Sequence, residues 1–92
     1  MQEYEKVDVY NITNGERFST YLILAEAGSK TLSINGAAAH KAKVDDTVIV
    51  CSYGIYDEAE SSSHSPILVY FDANNCINGV KDSTPEQLSP PI

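Results

Sequence analysis

Two residues in the run Arg17-Phe18-Ser19-Thr20-Tyr21 have types and spacing suited to chemistry. Strand alternation puts Arg17, Ser19, Tyr21 and Ile23 on one face, and Phe18, Thr20, Leu22 and Leu24 on the other. A guanidinium is a planar fork of donors that matches the two oxygens of a carboxylate. The phenol of Tyr21, two same-face positions away, can give or take a proton. The pair is either the start of a site for a small carboxylate or a surface charge beside a half-buried aromatic.

A second stretch, Ser33-Ile34-Asn35-Gly36-Ala37-Ala38-Ala39-His40, runs a glycine turn into the first turn of a helix. Backbone N–H groups there lack intrahelical partners and attract carboxylate or phosphate, although Asn-Gly is also an ordinary turn signal. His40, beside Lys41, is a general base or a solvated helix residue. His64 lies in a serine-rich loop with no acid in a folded element nearby, so a hydrolase triad is not expected. Two histidines and two cysteines show none of the paired spacings zinc needs, and no glycine-rich phosphate loop is present.

The elements that must position these residues are short strands. Val7 and Val9 alternate with Asp8 and Tyr10, predicting a strand from Lys6 to Thr13. Asn14-Gly15 predicts a type I′ hairpin turn, since both residues tolerate positive φ. The chain then returns as a strand over Arg17 to Ala25. A short strand is expected at Lys30 to Ile34, one or two helical turns over Ala37 to Ala42, and a strand buried on both faces over Thr47 to Tyr53. A helical turn at Tyr56 to Glu60 and strands at Ile67 to Phe71 and Cys76 to Val80 follow. With three prolines between Lys81 and Ile92, residues 81–92 read as a disordered tail. The pattern predicts a small all-β barrel or sandwich.

Composition narrows the function classes. Thirteen acidic against six basic side chains give a net charge of -7, which disfavours nucleic-acid binding through clustered Lys and Arg. An anionic ligand then depends on a local cation such as Arg17. The 92 residues make one domain at most, and a chain of this size buries only about 60 to 65% of its unfolded surface, so an oligomer is expected to add burial. Cys51 and Cys76 read as a buried free thiol with an unpaired companion, or as a disulfide. No apolar run reaches the roughly 20 residues of a membrane span, no secretory leader pattern opens the chain, and the expected location is the cytoplasm. Asn11-Ile12-Thr13 matches a glycosylation triplet, which carries meaning only in a secreted protein.

Taken jointly, Asn11-Ile12-Thr13-Asn14-Gly15-Glu16-Arg17-Phe18-Ser19-Thr20-Tyr21, Ser33 through His40, and Val44-Asp45-Asp46-Thr47-Val48-Ile49 closely resemble the pyruvoyl-dependent aspartate 1-decarboxylases over residues 1 to about 80. The resemblance implies a double-psi β-barrel with one or two short helices, here lacking its N-terminal strands: a partial barrel domain over residues 1–80 and a tail over 81–92. It implies conversion of L-aspartate to β-alanine and CO2 via a pyruvoyl Schiff base, serving pantothenate and coenzyme A synthesis, in a homotetramer with sites between subunits. Carried over by position, Tyr21 donates the proton after CO2 loss and Thr20 serves self-cleavage. Arg17 pairs with a substrate carboxylate, Asn35 is a polar contact, and Gly36, Ala37 and Ala38 offer backbone amides. Tyr10 lines the pocket where the family often has tryptophan.

Family members carry about 30 further residues upstream, with a substrate-binding lysine and the Gly-Ser pair whose serine becomes the pyruvoyl cofactor. That serine is expected to lie outside this chain, on an upstream stretch or a separate β-chain peptide. Gly28-Ser29, the single Gly-Ser pair here, aligns with a loop. The alternative expectation is a non-catalytic oligomeric relative that keeps a carboxylate-binding pocket.

Overall fold

The structure, a computed structural model, describes residues 1–84. Its contacts divide the chain into two units, Met1–Ile55 and the remainder from Tyr56. The architecture is all-β with short helical segments.

In the first unit, β1 (Lys6–Asn11) is the central strand of a three-stranded antiparallel sheet, flanked by β2 (Arg17–Tyr21) and β3 (Val48–Cys51). Alternation along β1 sends Val7, Val9 and Asn11 to one face, where they are 1%, 4% and 2% exposed. Phe18, Thr20, Val48 and Val50 are half-buried on that same side. The opposite face carries Asp8 and Tyr10 from β1, Arg17 and Ser19 from β2, and Ile49 and Cys51 from β3, as the cross-strand register requires.

The β1–β2 connection differs from the expected type I′ turn. Gly15 has φ +79 and Asn14 is not among the positive-φ residues, and Tyr10 pairs with Arg17 where a two-residue loop would have paired it with Ser19. The cause is Asn11. Its Oδ1 accepts from the backbone N–H of Thr13 at 3.0 Å and of Asn14 at 3.4 Å, curling the chain one turn early, and Gly15 N–H then closes on the Asn11 carbonyl at 2.8 Å. The slip is two residues, so every side chain keeps its predicted face.

Three other expectations are corrected. β2 ends at Tyr21 because the ladder meets Tyr4 at φ +65; Leu22 still bonds Glu5 and Tyr4 but Ile23 to Ala25 do not continue the strand. Lys30 to Ile34 form no strand: they follow a turn with Gly28 at φ +79 and Lys30 at φ +58. β3 is half-buried and not sandwiched, with Ile49 46% exposed on the side facing away from the valines. Cys51 and Cys76 are free thiols, both half-buried.

Asn11 is the knot of this unit. Its Nδ2 donates to the Lys41 carbonyl at 3.1 Å and to Asp46 Oδ2 at 2.8 Å, so both amide hydrogens are engaged and the glycosylation triplet is closed to modification. Asn14 Nδ2 reaches the same carbonyl at 3.0 Å, and Lys41 Nζ pairs with Glu16 at 3.0 Å. Thr13 Oγ1 accepts from Thr47 N–H, while Ile12 N–H donates to the Thr47 carbonyl. Removing a buried amide strands several partners at once, so Asn11→Ala is expected to lower unfolding free energy by about 2–4 kcal/mol, read by chemical denaturation.

Asp46 supplies a pH signature of the same knot. Donation from Asn11 and from Lys43 N–H holds its carboxyl below the usual value. Because the folded pKa is the lower one, the stabilisation is present above the unfolded carboxylate pKa of about 4 and is lost as pH falls through the folded value. Denaturation midpoints followed into acid are expected to lose part of their slope in Asp46→Asn.

The second unit holds α1 (Glu58–Ser63), β4 (Leu68–Phe71) and β5 (Ile77–Lys81). Asp57 caps α1, accepting from Glu60 N–H at 2.7 Å while Glu60 reaches back to Asp57 N–H, which moves the helix beyond the predicted Tyr56 to Glu60 turn. β4 and β5 form an antiparallel hairpin around Asp72, whose Oδ1 accepts from the N–H groups of Asn74 and Cys76. β5 takes in Lys81, the first residue of the expected tail; residues 85–92 of that expectation lie outside the described residues. No described helix is long and apolar enough to cross a membrane.

Candidate active site

The cross-strand pair Tyr10 and Arg17 forms the centre of the exposed face. The guanidinium carbon of Arg17 sits 4.5 Å from the centroid of the Tyr10 ring, a cation–π distance. Among the described residues no carboxylate comes within ion-pair range of Arg17, so its donors remain available to a ligand. One pair further along, Ser19 Oγ donates to Asp8 Oδ1 at 2.5 Å. Asp8, Tyr10, Arg17, Phe18 and Ser19 line a cleft of about 210 Å³, below the roughly 300–1,000 Å³ of sites for drug-sized ligands and suited to a small polar molecule. Tyr10 also meets Tyr53, hydroxyl to hydroxyl, at 2.5 Å.

The sequence-predicted residues fall in separate places within the unit. Tyr10 and Arg17 are in contact. Tyr21 shares their face but lies opposite Lys6 at the far end of β2, about 13 Å along the strand from Arg17 at the usual rise, and tilts against Tyr4 with ring centroids 6.3 Å apart. Thr20 pairs with Val7 and belongs to the other face. Gly36–His40 form a 3-10 helix whose N-cap, Asn35, makes no side-chain cap bond. The helix is fixed to the hairpin through its C-terminal side, at Lys41; Asn35, Gly36, Ala37 and Ala38 do not line the Arg17 cleft. His40 ends that helix, exposed, and His64 stacks on Tyr56 at 4.2 Å in the second unit.

Comparison with known proteins bears on what this face is. Residues 1–78 match the family model described as aspartate decarboxylase. The aspartate 1-decarboxylase of Pseudomonas aeruginosa is 51% identical over 89 residues, covering 97% of this chain and 71% of that protein. The chain belongs to the aspartate decarboxylase family. Aspartate 1-decarboxylases of Cellvibrio japonicus, 51% identical over 89 residues, and Tolumonas auensis, 54% over 87, cover 97% and 95% of the chain and 71% and 69% of their own lengths.

In this aspartate decarboxylase family member, three residues beside the Arg17 cleft were not singled out by sequence reasoning: Asp8, Ser19 and Tyr53. Asp8 and Ser19 are legible only through the correct cross-strand register, which sets them opposite each other. Tyr53 lies beyond the end of β3 and carries no periodic signal.

The serine-derived cofactor can be tested against the residues present. Gly28-Ser29 sits in an exposed turn, with Gly28 at φ +79, nothing within 4 Å of a Cβ placed there, and Ser29 N–H bonded to the Glu26 carbonyl. An open surface turn of this kind does not fit as the source of a group that must sit inside a substrate pocket.

Proposed function

We propose that this chain is the larger part of an aspartate 1-decarboxylase, converting L-aspartate to β-alanine and CO2 for pantothenate and coenzyme A synthesis. The observation that carries the reading is 51% identity across 97% of the chain, with Arg17 offered on a cleft-lining face. Arg17 binds a substrate carboxylate through its fork of donors, and Tyr10 lines the pocket beneath it. Tyr21 holds the proton that returns to the substrate carbon. Asn35 and the amides of Gly36, Ala37 and Ala38 meet the substrate across a subunit boundary. Thr20, on the other face, belongs with self-cleavage.

The pyruvoyl group implied by the family comes, in this reading, from a serine outside these 92 residues, on an upstream stretch or a β-chain peptide. The same reading places residues 1–80 in one partial double-psi barrel and locates the protein in the cytoplasm. It also makes the protein a homotetramer: Val7 and Val9 are the only buried hydrophobic residues among those described, while Ile49, Tyr53, Tyr70, Phe71, Ile77 and Val80 are exposed, more apolar surface than a monomer keeps.

The test is to follow CO2 and β-alanine from L-aspartate by the purified assembly, and to take intact masses with and without phenylhydrazine. Equal release of both products and a carbonyl adduct on one chain are expected. No adduct on any chain and no CO2 would overturn the reading; saturable aspartate binding under those conditions would instead support the non-catalytic carboxylate-binding relative.

A further inference from the structure

We propose that Tyr53 is a positioning residue for the carboxylate-binding arginine, acting through Tyr10. The inference rests on the assignment of Arg17 to the substrate carboxylate. It starts from a chain of contacts: Tyr53 hydroxyl to Tyr10 hydroxyl at 2.5 Å, then the Tyr10 ring to the Arg17 guanidinium at 4.5 Å. Both contacts lie in the first unit, on the face away from Val7 and Val9.

A tyrosine ring turns about two side-chain bonds, and Tyr10 is only half-buried, so packing alone does not fix its tilt. The hydroxyl bond supplies the missing restraint at the far end of the ring, and at 2.5 Å it is at the short end of the O–H···O range. With the ring held, the guanidinium has a fixed platform, and its donors are presented in one orientation before a ligand arrives. Preorganisation of this kind appears as affinity, because the side chain is not ordered at the moment of binding.

The surroundings agree. Tyr53, with Lys6, Asp8, Ser19 and Ile55, lines a second cleft of about 400 Å³ that shares Asp8 and Ser19 with the Arg17 cleft. Tyr10 lines the first of these clefts and Tyr53 the second. The bond to Tyr10 also pushes the Tyr53 phenol above its ordinary pKa, so Tyr53 keeps its proton through the physiological range.

The experiment measures KM and kcat for L-aspartate in the assembled enzyme, and Kd by calorimetry, for Tyr53→Phe, Tyr10→Phe, the double variant, and Tyr53→Phe combined with Arg17→Ala. Phenylalanine keeps the ring and removes only the hydroxyl. KM and Kd are expected to rise about two- to tenfold in either single variant, the range for one hydrogen bond, with kcat within about twofold for Tyr53→Phe. The double variant should be no weaker than the singles, and Tyr53→Phe should add nothing once Arg17 is gone.

A residue with a merely structural role would lower the melting temperature and leave KM in place. Unchanged KM and Kd in Tyr53→Phe, or a further loss in the Arg17→Ala background, would overturn the proposal while leaving the decarboxylase reading intact. A wild-type protein that binds aspartate without turnover removes the catalytic reading, and a Kd shift in Tyr53→Phe would still support the tether. Absence of aspartate binding would overturn both.

Discussion

Replacing Tyr21 by phenylalanine in the cofactor-bearing assembly is expected to slow turnover by about 10²-fold or more, the usual scale for losing a general acid, with aspartate affinity largely kept. The ring makes the same tilted contact with Tyr4, 6.3 Å between centroids, whether or not it carries a hydroxyl. Its position on an exposed strand face opposite Lys6 leaves little packing to disturb, so stability should change by no more than about 0.5 kcal/mol. A loss of rate without a loss of fold isolates the proton. Steady-state kinetics decide it: unchanged turnover would take Tyr21 out of the proton-donor role, and a raised KM at constant turnover would move it to substrate binding.

The second large effect is expected for Arg17→Ala. The chain carries a net charge of -7, and Asp8 lines the same cleft, so without Arg17 an incoming carboxylate meets a repulsive wall. Substrate binding should weaken by about 1.5–3 kcal/mol, the range for a hydrogen bond to a charged group, or roughly 10- to 150-fold in KM. Arg17→Lys restores the charge but not the planar fork, and should recover only part of the loss. An unaltered Michaelis constant in Arg17→Ala would contradict the assignment.

How far these residues were legible in the sequence follows from what strand alternation can and cannot encode. The faces were readable because a two-residue slip in hairpin register preserves the alternation, so Arg17 and Tyr21 keep one face and Thr20 the other. The register itself was not. It is set by the side chain of Asn11 capturing Thr13 and Asn14, a bond that the stronger Asn-Gly signal three residues later conceals. Lys30 to Ile34 had a strand's composition but are not built into either sheet, and β propensity without a ladder leaves irregular chain. The helical turn expected at Tyr56 to Glu60 is displaced to Glu58–Ser63 by the Asp57 capping box, which hydrophobic periodicity does not register. Tyr53 could not be found by pattern, because its partner is 43 positions away in sequence.

Asn11 also governs how the molecule opens to solvent. Its side chain joins the hairpin loop to Lys41 and Asp46, and Thr47 is pinned to the same loop in both directions. Amide protons at Ile12, Gly15 and Thr47 are therefore expected to exchange together, through one local fluctuation. Tyr10 is the covalent neighbour of that patch, so a ligand seated in the cleft is expected to slow exchange at these three amides as well.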